Sequence, residues 1–297
     1  TLHASVSSAE QRAALADDAR QRVILATNVA ETSLTIPGVT AVVDSGLERR
    51  THQRNGRTVL GLSAISRAAA EQRKGRAGRT APGLCIRLWG EHAPLADVTP
   101  PEVQREELTE LVLAAGCAGY PAATLDFPDP LPEKSFNKAL ERLNGMGALD
   151  EQGTATAHGR QLFSLPIDSL YAHLISSMPD AETRGAMADL TAALSVHPPL
   201  MRFPRGEQER QTLQQWQPTT CDAITLVTAL RQLPPEPLAV NKQSRKEARR
   251  LATQIRNALD LDGIPEAAPA CWDTLMRAIL HASPELAFIR RAKRRHA

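Results

Sequence analysis

The sequence predicts an α/β layer with a parallel sheet in its first third and helices through the remainder. Three observations carry this. Short apolar runs at 22–28 (RVILATN), 40–46 (TAVVDSG) and 83–89 (GLCIRLW) are separated by helical or turn-like stretches, the alternation of a parallel sheet. Between the second and third, ERRTHQRNGRTVLGLSAIS (48–66) sets Asn55-Gly56 between two extended stretches, a strong hairpin signal. Past Pro100-Pro101 the texture becomes helical periodicity interrupted by prolines.

In chain order, Ser7-Ser8-Ala9-Glu10 fits a capping box that opens a helix to about residue 19. The run at 22–28 predicts a short buried strand, and 40–46 and 83–89 predict two more. Residues 102–118 read as one amphipathic helix, and 135–149 as a helix stopped by Gly145 and Gly147. ALDEQGTATAHGRQL then suggests two short strands around Gln152-Gly153 and a new helix. Helix, helix, two-stranded wing and helix is a winged-helix pattern. Helices with Pro-rich joints follow at 167–178, 181–196, 206–216, 219–232, 241–260 and 270–282. The closing ELAFIRRAKRRHA reads as the start of a truncated strand-rich domain. The expected boundaries are 1–100, 101–166, 167–284 and 285–297.

Composition narrows the functional classes. Apolar residues make up 42% of the 297 residues and aromatics 3%, so the cores should be aliphatic. The net charge is +2, so a polyanion site must come from local clustering. Cys85, Cys117, Cys221 and Cys271 form no CxxC and read as reduced, buried thiols of a cytoplasmic protein. His158, His173 and His197 have no metal-ligand spacing with them, so no metal site is expected. There is no 18-residue apolar run and no signal peptide. The chain opens at Thr1 without Met and reads as a piece of something longer.

The densest chemistry is EQRKGRAGR (71–79). Guanidiniums are planar, permanently charged and matched to phosphate oxygens. Gln72, Arg76 and Arg79 stand four and three residues apart, the spacing of one helix face. Gly75 and Gly78 would each cost about 1 kcal/mol inside a helix, which favours close approach to a ligand over a bland solvated face. Arg73 and Lys74 are expected to carry solvent or interface charge.

These residues resemble motif VI of superfamily 2 helicases, and ATNVAETSLTI (26–36) resembles motif V of the DEAH/RNA-helicase-A group. With VVDSGLERR and ISRAAAEQRKGRAGR, the segment looks like the bacterial HrpB-like ATP-dependent helicases. The resemblance implies an α/β RecA-like domain with a β-hairpin insertion, then a winged-helix domain and an all-α helical bundle. It implies Arg76 and Arg79 as arginine fingers on ATP, with Gln72 helping to position the attacking water. Ser33, Thr35 and Gly75 would lie on the nucleotide side, and Thr27 and Asn28 would hold the RNA backbone. The hairpin would grip or split the strand, with Arg49, Arg50, Arg54 and Arg57 in or near it. Pro37 stands where the family usually has an acidic residue that binds the ribose, a departure that implies different nucleotide contacts here.

The helical half would close a channel over single-stranded RNA. Lys242, Lys246 and Arg250, with Arg245 and Arg249, mark its best basic helix, read here as a solvated face. Arg290, Arg291, Lys293, Arg294 and Arg295 form the densest basic run. There is no G-x-x-x-x-G-K-[ST] loop and no DExH tetrad, the parts that hold the phosphates and Mg²⁺. These are expected in a first RecA-like domain missing from this chain. The expectation is therefore the C-terminal part of an ATP-dependent RNA helicase. The alternatives are a non-catalytic nucleic-acid-binding module derived from one, and a helicase acting on DNA.

Overall fold

The structure is a computed structural model of the chain. It describes residues 1–287 other than 4, 5, 7, 17–20, 32–35, 55, 56, 80 and 220, and leaves the side chains of residues 8, 53, 54, 57 and 58 undescribed. The chain divides into two compact units, Thr1–Leu108 with Leu125–Glu141, and Thr109–Thr124 with Arg142–Ala297.

The first unit opens with α1 (Ser8–Leu15); residue 7 of the expected capping box lies outside the described residues. The strand expected at 22–28 does not form. Residues 21–25 lack regular structure, and one parallel bridge joins Leu2 to Ala26. Leu2 N–H donates to Leu25 O at 2.7 Å and Thr27 N–H to Leu2 O at 3.1 Å. Two hydrogen bonds make no ladder, and Val23 (89%) and Leu25 (67%) stay exposed rather than buried.

The other two strands form as expected. β1 (Ala41–Asp44) pairs in parallel with β4 (Leu84–Arg87), from Ala41↔Leu84 to Asp44↔Arg87. Between them β2 (Leu47–Arg54) and β3 (Arg57–Ala64) form the antiparallel hairpin. Its register pairs Arg54 with Arg57, so residues 55 and 56 fall between the strands, as the Asn-Gly signal requires. α2 (Arg67–Lys74) follows, capped by Ser66, whose hydroxyl accepts from Ala69 N–H at 3.1 Å. Ala69 and Ala70 form its buried face and cluster with Ile65 and Trp89.

The helix expected over 102–118 is two helices, α3 (Glu102–Arg105) and α4 (Thr109–Cys117). Glu106 is extended, and the break has a local cause. Arg105 Nη1 donates to Thr51 O and Oγ1 at 3.0 and 2.9 Å, and Thr51 Oγ1 donates to Glu106. Neighbouring side chains thus grip one hairpin residue, and a continuous helix would turn them apart. α5 (Glu133–Gly145) ends where the glycines predicted, with Gly147 at φ +66.

In the second unit, α6 (Ala157–Ser164) starts at Thr156, whose hydroxyl accepts from Gly159 N–H at 3.0 Å. Before it, the two strands expected around Gln152-Gly153 shrink to a single antiparallel bridge, Leu149↔Ala155. The Asp150 carboxylate accepts from Gln152 and Thr154 N–H at 3.0 and 2.8 Å, so the turn takes up the backbone groups a longer ladder would need. α7 (Ser169–Ser176), α8 (Ala181–Ser195), α9 (Glu207–Trp216), α10 (Asp222–Arg231), α11 (Lys242–Ala258) and α12 (Trp272–Ala282) then fall close to the expected ranges.

α8 is buried along most of its length and packs on α7, α10, α11 and α12. Ala186, Ala188, Ala192 and Ala193 let those helices come close, and Leu174, Ile175, Met187, Leu190, Val227, Ile255 and Leu275 fill the core between them. Asp189 sits at its centre, bonded by Arg231 and Arg256. Gly185 faces the second of these: a Cβ there would lie 2.9 Å from Arg256 Nη2.

Arg245 and Arg249 overturn the expectation of a solvated face. Arg245 Nε and Nη2 donate to Ala229 O and Arg231 O at 2.9 and 3.1 Å, and Arg249 Nη1 to Leu230 O at 3.1 Å. They close the carbonyl end of α10, where cations are favoured. Lys242, Lys246 and Arg250 do remain exposed. The four cysteines are free and only half-buried; burial pushes the Cys271 thiol up to about 11, with Glu182 adding to the rise.

His158 Nε2 and His173 Nδ1 approach to 3.5 Å. Burial first, and the His158 charge second, hold His173 below its ordinary value of 6.5. The unfolded chain then takes up this proton more readily than the folded one. The stability His173 contributes is therefore present above pH 6.5 and lost as pH falls from there towards its folded-state value. Thermal melts of the chain taken from about pH 7.5 to about pH 5.5 should show a falling midpoint, and His173→Gln should flatten that fall.

Candidate functional site

The first unit brings three separated segments together. After Thr27, residues Asn28–Ala30 make one 3₁₀ turn, closed by Ala30 N–H to Thr27 O at 3.2 Å and Glu31 N–H to Asn28 O at 2.9 Å. Thr27 and Asn28 are exposed at its start, so their short polar groups face solvent. β1 delivers Asp44, buried, whose Oδ1 accepts from Gly46 N–H at 2.9 Å. The last turn of α2 delivers Arg73.

Arg73 fastens the three. Its Nε donates to Glu31 Oε2 at 2.9 Å, and its Nη1 to Asp44 Oδ1 at 2.9 Å and Leu47 O at 3.1 Å. Its side chain is 14% exposed, against 13% for Glu31 and 1% for Asp44. Burial works against the Arg73 charge, but the bonds to Glu31 and Asp44 outweigh it and set its pKa above the ordinary arginine value. The expectation that Arg73 carries solvent or interface charge is thus wrong. Lys74 is exposed and pairs with Glu71 at 3.3 Å, as a solvated charge would.

The shared helix face expected for Gln72, Arg76 and Arg79 also needs correction. α2 ends at Lys74 with Gly75 as its cap, and residues 75–78 continue as turns rather than α-helix. Gln72 is exposed on the last helical turn; Arg76 and Arg79 belong to the loop beyond it. Arg76 N–H donates to Arg73 O and Ala77 N–H to Lys74 O, both at 3.1 Å. Arg76 Nη2 donates to Glu31 O. Partial burial, then the like charge of Arg79, lowers the Arg76 pKa, while the Glu31 charge works to raise it. The two guanidiniums are therefore close enough for one charge to act on the other.

The glycines act differently from the expectation too. Gly75 closes the helix, and a Cβ on Gly78 would meet nothing within 4 Å. The close approach is at Gly83, which sequence reasoning missed. A Cβ there would lie 2.1 Å from Ala77 O, so only glycine lets the chain entering β4 pass under the arginine loop. Ala77 is buried at this crossing. Lys74, Gly75, Gly78, Gly83, Cys85 and Arg87 line a cavity of ≈ 380 Å³ beside it.

Other expected site residues are placed less fully. Ser33 and Thr35 lie outside the described residues. Arg49 is exposed on β2, and the side chains of Arg54 and Arg57 are not described. Pro37 is exposed in a turn ahead of Gly38. Among the described residues no cluster of His, Cys, Asp and Glu could hold a metal ion, and no helix is long and apolar enough to cross a membrane.

Known proteins resemble this chain in sequence and fold. Residues 1–81 match the family described as the helicase conserved C-terminal domain. The chain is similar to the pre-mRNA-splicing factor ATP-dependent RNA helicase prp22 of Schizosaccharomyces pombe, 36% identical over 203 residues, which is 66% of this chain and 17% of the relative. It is likewise 36% identical over 221 residues to the ATP-dependent RNA helicase HrpA of Escherichia coli, 70% of this chain and 17% of that protein. Two crystal structures of Escherichia coli HrpB, one described as a DExH-box NTPase and one as a DEAH/RHA helicase, superpose with TM-scores of 0.69 and 0.70 at 25% identity. They cover 94% and 95% of this chain, and 32% of each of theirs. The chain belongs with the C-terminal portions of DEAH-type, HrpB-like superfamily 2 helicases. It spans about a sixth of the length of these two curated relatives.

Within this helicase portion the RecA-like fold supplies the small parallel sheet and the loops at its ends. Segments placed beyond the carboxyl ends of such strands are where open α/β sheets take ligands. Asp44 is the last residue of β1, and the Glu31 turn and the arginine loop meet through Arg73 beside it. Of the residues singled out from sequence, Thr27 and Asn28 lie at the start of this turn and Arg76 and Arg79 on the loop beyond α2. Sequence reasoning missed Glu31 and Asp44, whose signal was an acid in an otherwise apolar or small-residue stretch.

Proposed function

We propose that this chain is the C-terminal part of an ATP-dependent RNA helicase, in which ATP hydrolysis between two RecA-like domains drives movement along RNA or its unwinding. The carrying observation is the arginine loop: Arg76 and Arg79 stand side by side past the end of α2, with Arg76 tied to Glu31 of the turn that presents Thr27 and Asn28. Two neighbouring guanidiniums beside bare glycine backbone suit a triphosphate. ATP would supply the terminal phosphoryl group. Arg76 and Arg79 would neutralise its developing charge, Gln72 would orient the attacking water, and Ser33, Thr35 and Gly75 would line the nucleotide side. Mg²⁺ would be held by a first RecA-like domain carrying the P-loop and DExH residues.

RNA would run along Thr27, Asn28, Arg49 and Arg54, whose side chains suit backbone phosphates rather than base edges. Residues 1–100 would be the second RecA-like domain, 101–166 a winged helix and 167–284 a ratchet-like bundle over the strand, with 285–297 opening a further domain. Support for the winged helix and the bundle comes from helix order and from likeness to HrpB across nearly the whole chain. The cysteines, all free, suit the cytoplasm.

Purified alone, the 297-residue chain should show only background ATPase with or without RNA. A version extended by the first RecA-like domain should hydrolyse ATP and respond to RNA. Robust turnover by the chain alone would overturn the proposal.

A further inference from the structure

Glu31 bonds in three directions. Its N–H closes the turn on Asn28 O at 2.9 Å, its carboxylate accepts from Arg73 Nε at 2.9 Å, and its carbonyl oxygen accepts from Arg76 Nη2. The first bond belongs to the turn that presents Thr27 and Asn28; the third belongs to the arginine loop. The second bond gives Glu31 a fixed reference, because Arg73 is anchored on Asp44 Oδ1 and Leu47 O at 2.9 and 3.1 Å. All three charged side chains are nearly buried, at 14%, 13% and 1% exposure for Arg73, Glu31 and Asp44. Solvent therefore screens these contacts weakly.

The charges point the same way. Two carboxylates face one Arg73 guanidinium, which leaves a negative balance next to Arg76 and opposes the repulsion from Arg79. A guanidinium has five N–H donors. Arg76 gives one of these to Glu31 O. The bond to Glu31 thus aims the group through a single donor.

We propose that Glu31 is a positioning residue that couples the Thr27–Asn28 turn to Arg76, so that a nucleic-acid backbone seated on the turn sets the direction of the Arg76 guanidinium. This rests on the assignment of Arg76 to the phosphate side and of Thr27–Asn28 to the RNA side. A shift of the turn moves Asn28 O, Glu31 N–H follows it, and the Glu31 carbonyl carries Arg76 along. Arg73 restricts the path by holding the Glu31 carboxylate against the sheet end.

The test uses the full-length protein, including its first RecA-like domain, with ATP turnover measured with and without single-stranded RNA. Glu31→Gln keeps the shape and removes the charge. It should lower the RNA-stimulated kcat about tenfold, leave the KM for ATP within about twofold, and bring the stimulated and unstimulated rates closer together. In an Arg76→Lys background, followed in single turnover, Glu31→Gln should add no further loss, because its effect acts through Arg76. Arg73→Lys, which keeps the charge but cannot span the three acceptors, should show the same loss of stimulation and guards against a Glu31 variant that misfolds. Losses that multiply in the double variant, or that are equal with and without RNA, would assign Glu31 a merely structural role and overturn the inference. Full turnover by Arg76→Lys alone would instead remove the underlying assignment, whereas an inactive Arg76→Lys beside a fully active Glu31→Gln would remove only the coupling.

Discussion

Lysine in place of Arg76 or Arg79 should lower the RNA-stimulated ATPase kcat of the full-length protein by about 10³-fold or more. The substitution keeps the positive charge, so loss of charge cannot explain such a fall. What changes is the fork. Arg76 has one Nη2 bond to Glu31 O, and its remaining N–H groups point from a planar group with fixed angles. An ammonium on a flexible stem cannot keep that bond and still present a parallel pair of donors to a phosphoryl group. Arg79 is exposed and close enough to Arg76 to lower its pKa, so the pair carries a repulsion that an anion between them would relieve. Steady-state ATPase against RNA concentration checks this. Wild-type turnover by either lysine variant would show that the loop does not reach the phosphate. A rise in KM at constant kcat would show that it only binds ATP, without stabilising the transition state.

How much of this could be read from the chain follows the range of the interactions. β1, β4 and the hairpin were legible because strand runs and Asn-Gly turns are local signals. The helices α5 and α7 to α12 were legible from periodicity and their stops. The end of α2 at Lys74 was not, because Gln72, Arg76 and Arg79 keep helical spacing in sequence while the backbone leaves the helix at Gly75. The break at Glu106 depends on Thr51, about fifty residues away in the chain. Arg73 was misread for the same reason: its partners Glu31 and Asp44 stand 42 and 29 residues upstream, and nothing near position 73 announces them. Gly83 is needed only because Ala77 O crosses over it. Arg245 and Arg249 looked solvated because the carbonyls they close belong to another helix.

The same long range governs the second large effect, at Asp189. Replacing it with asparagine should cost the chain about 3–5 kcal/mol, read as a lower urea midpoint and a melting point lower by about 10 °C. Asp189 is fully buried, and Arg231 and Arg256 are 4% and 6% exposed in their side chains. Arg231 donates from Nε and Nη2 to Oδ2 at 2.8 and 2.7 Å; Arg256 donates from Nε to Oδ1 and from Nη2 to Oδ2, both at 2.9 Å. Backbone carbonyls of Ala267, Asp262 and Gly185 accept the outer N–H groups at 2.9, 2.8 and 3.1 Å, adding partial negative charge around the cations. Asparagine nearly preserves the volume but removes the charge, and its amide turns a donor towards guanidiniums that can only donate. Two buried cations then face each other across α8 with no counter-ion. Arg231→Met should cost less, because it leaves one carboxylate matched to one guanidinium. Replacing all three together by Leu and Met should recover most of the loss, since a buried ion cluster is costly to break but often replaceable as a unit. An Asp189→Asn variant as stable as the parent would mean that the carbonyls alone balance the two arginines; a triple variant no better than Asp189→Asn would mean that the cluster also fixes how α8, α10 and α11 pack.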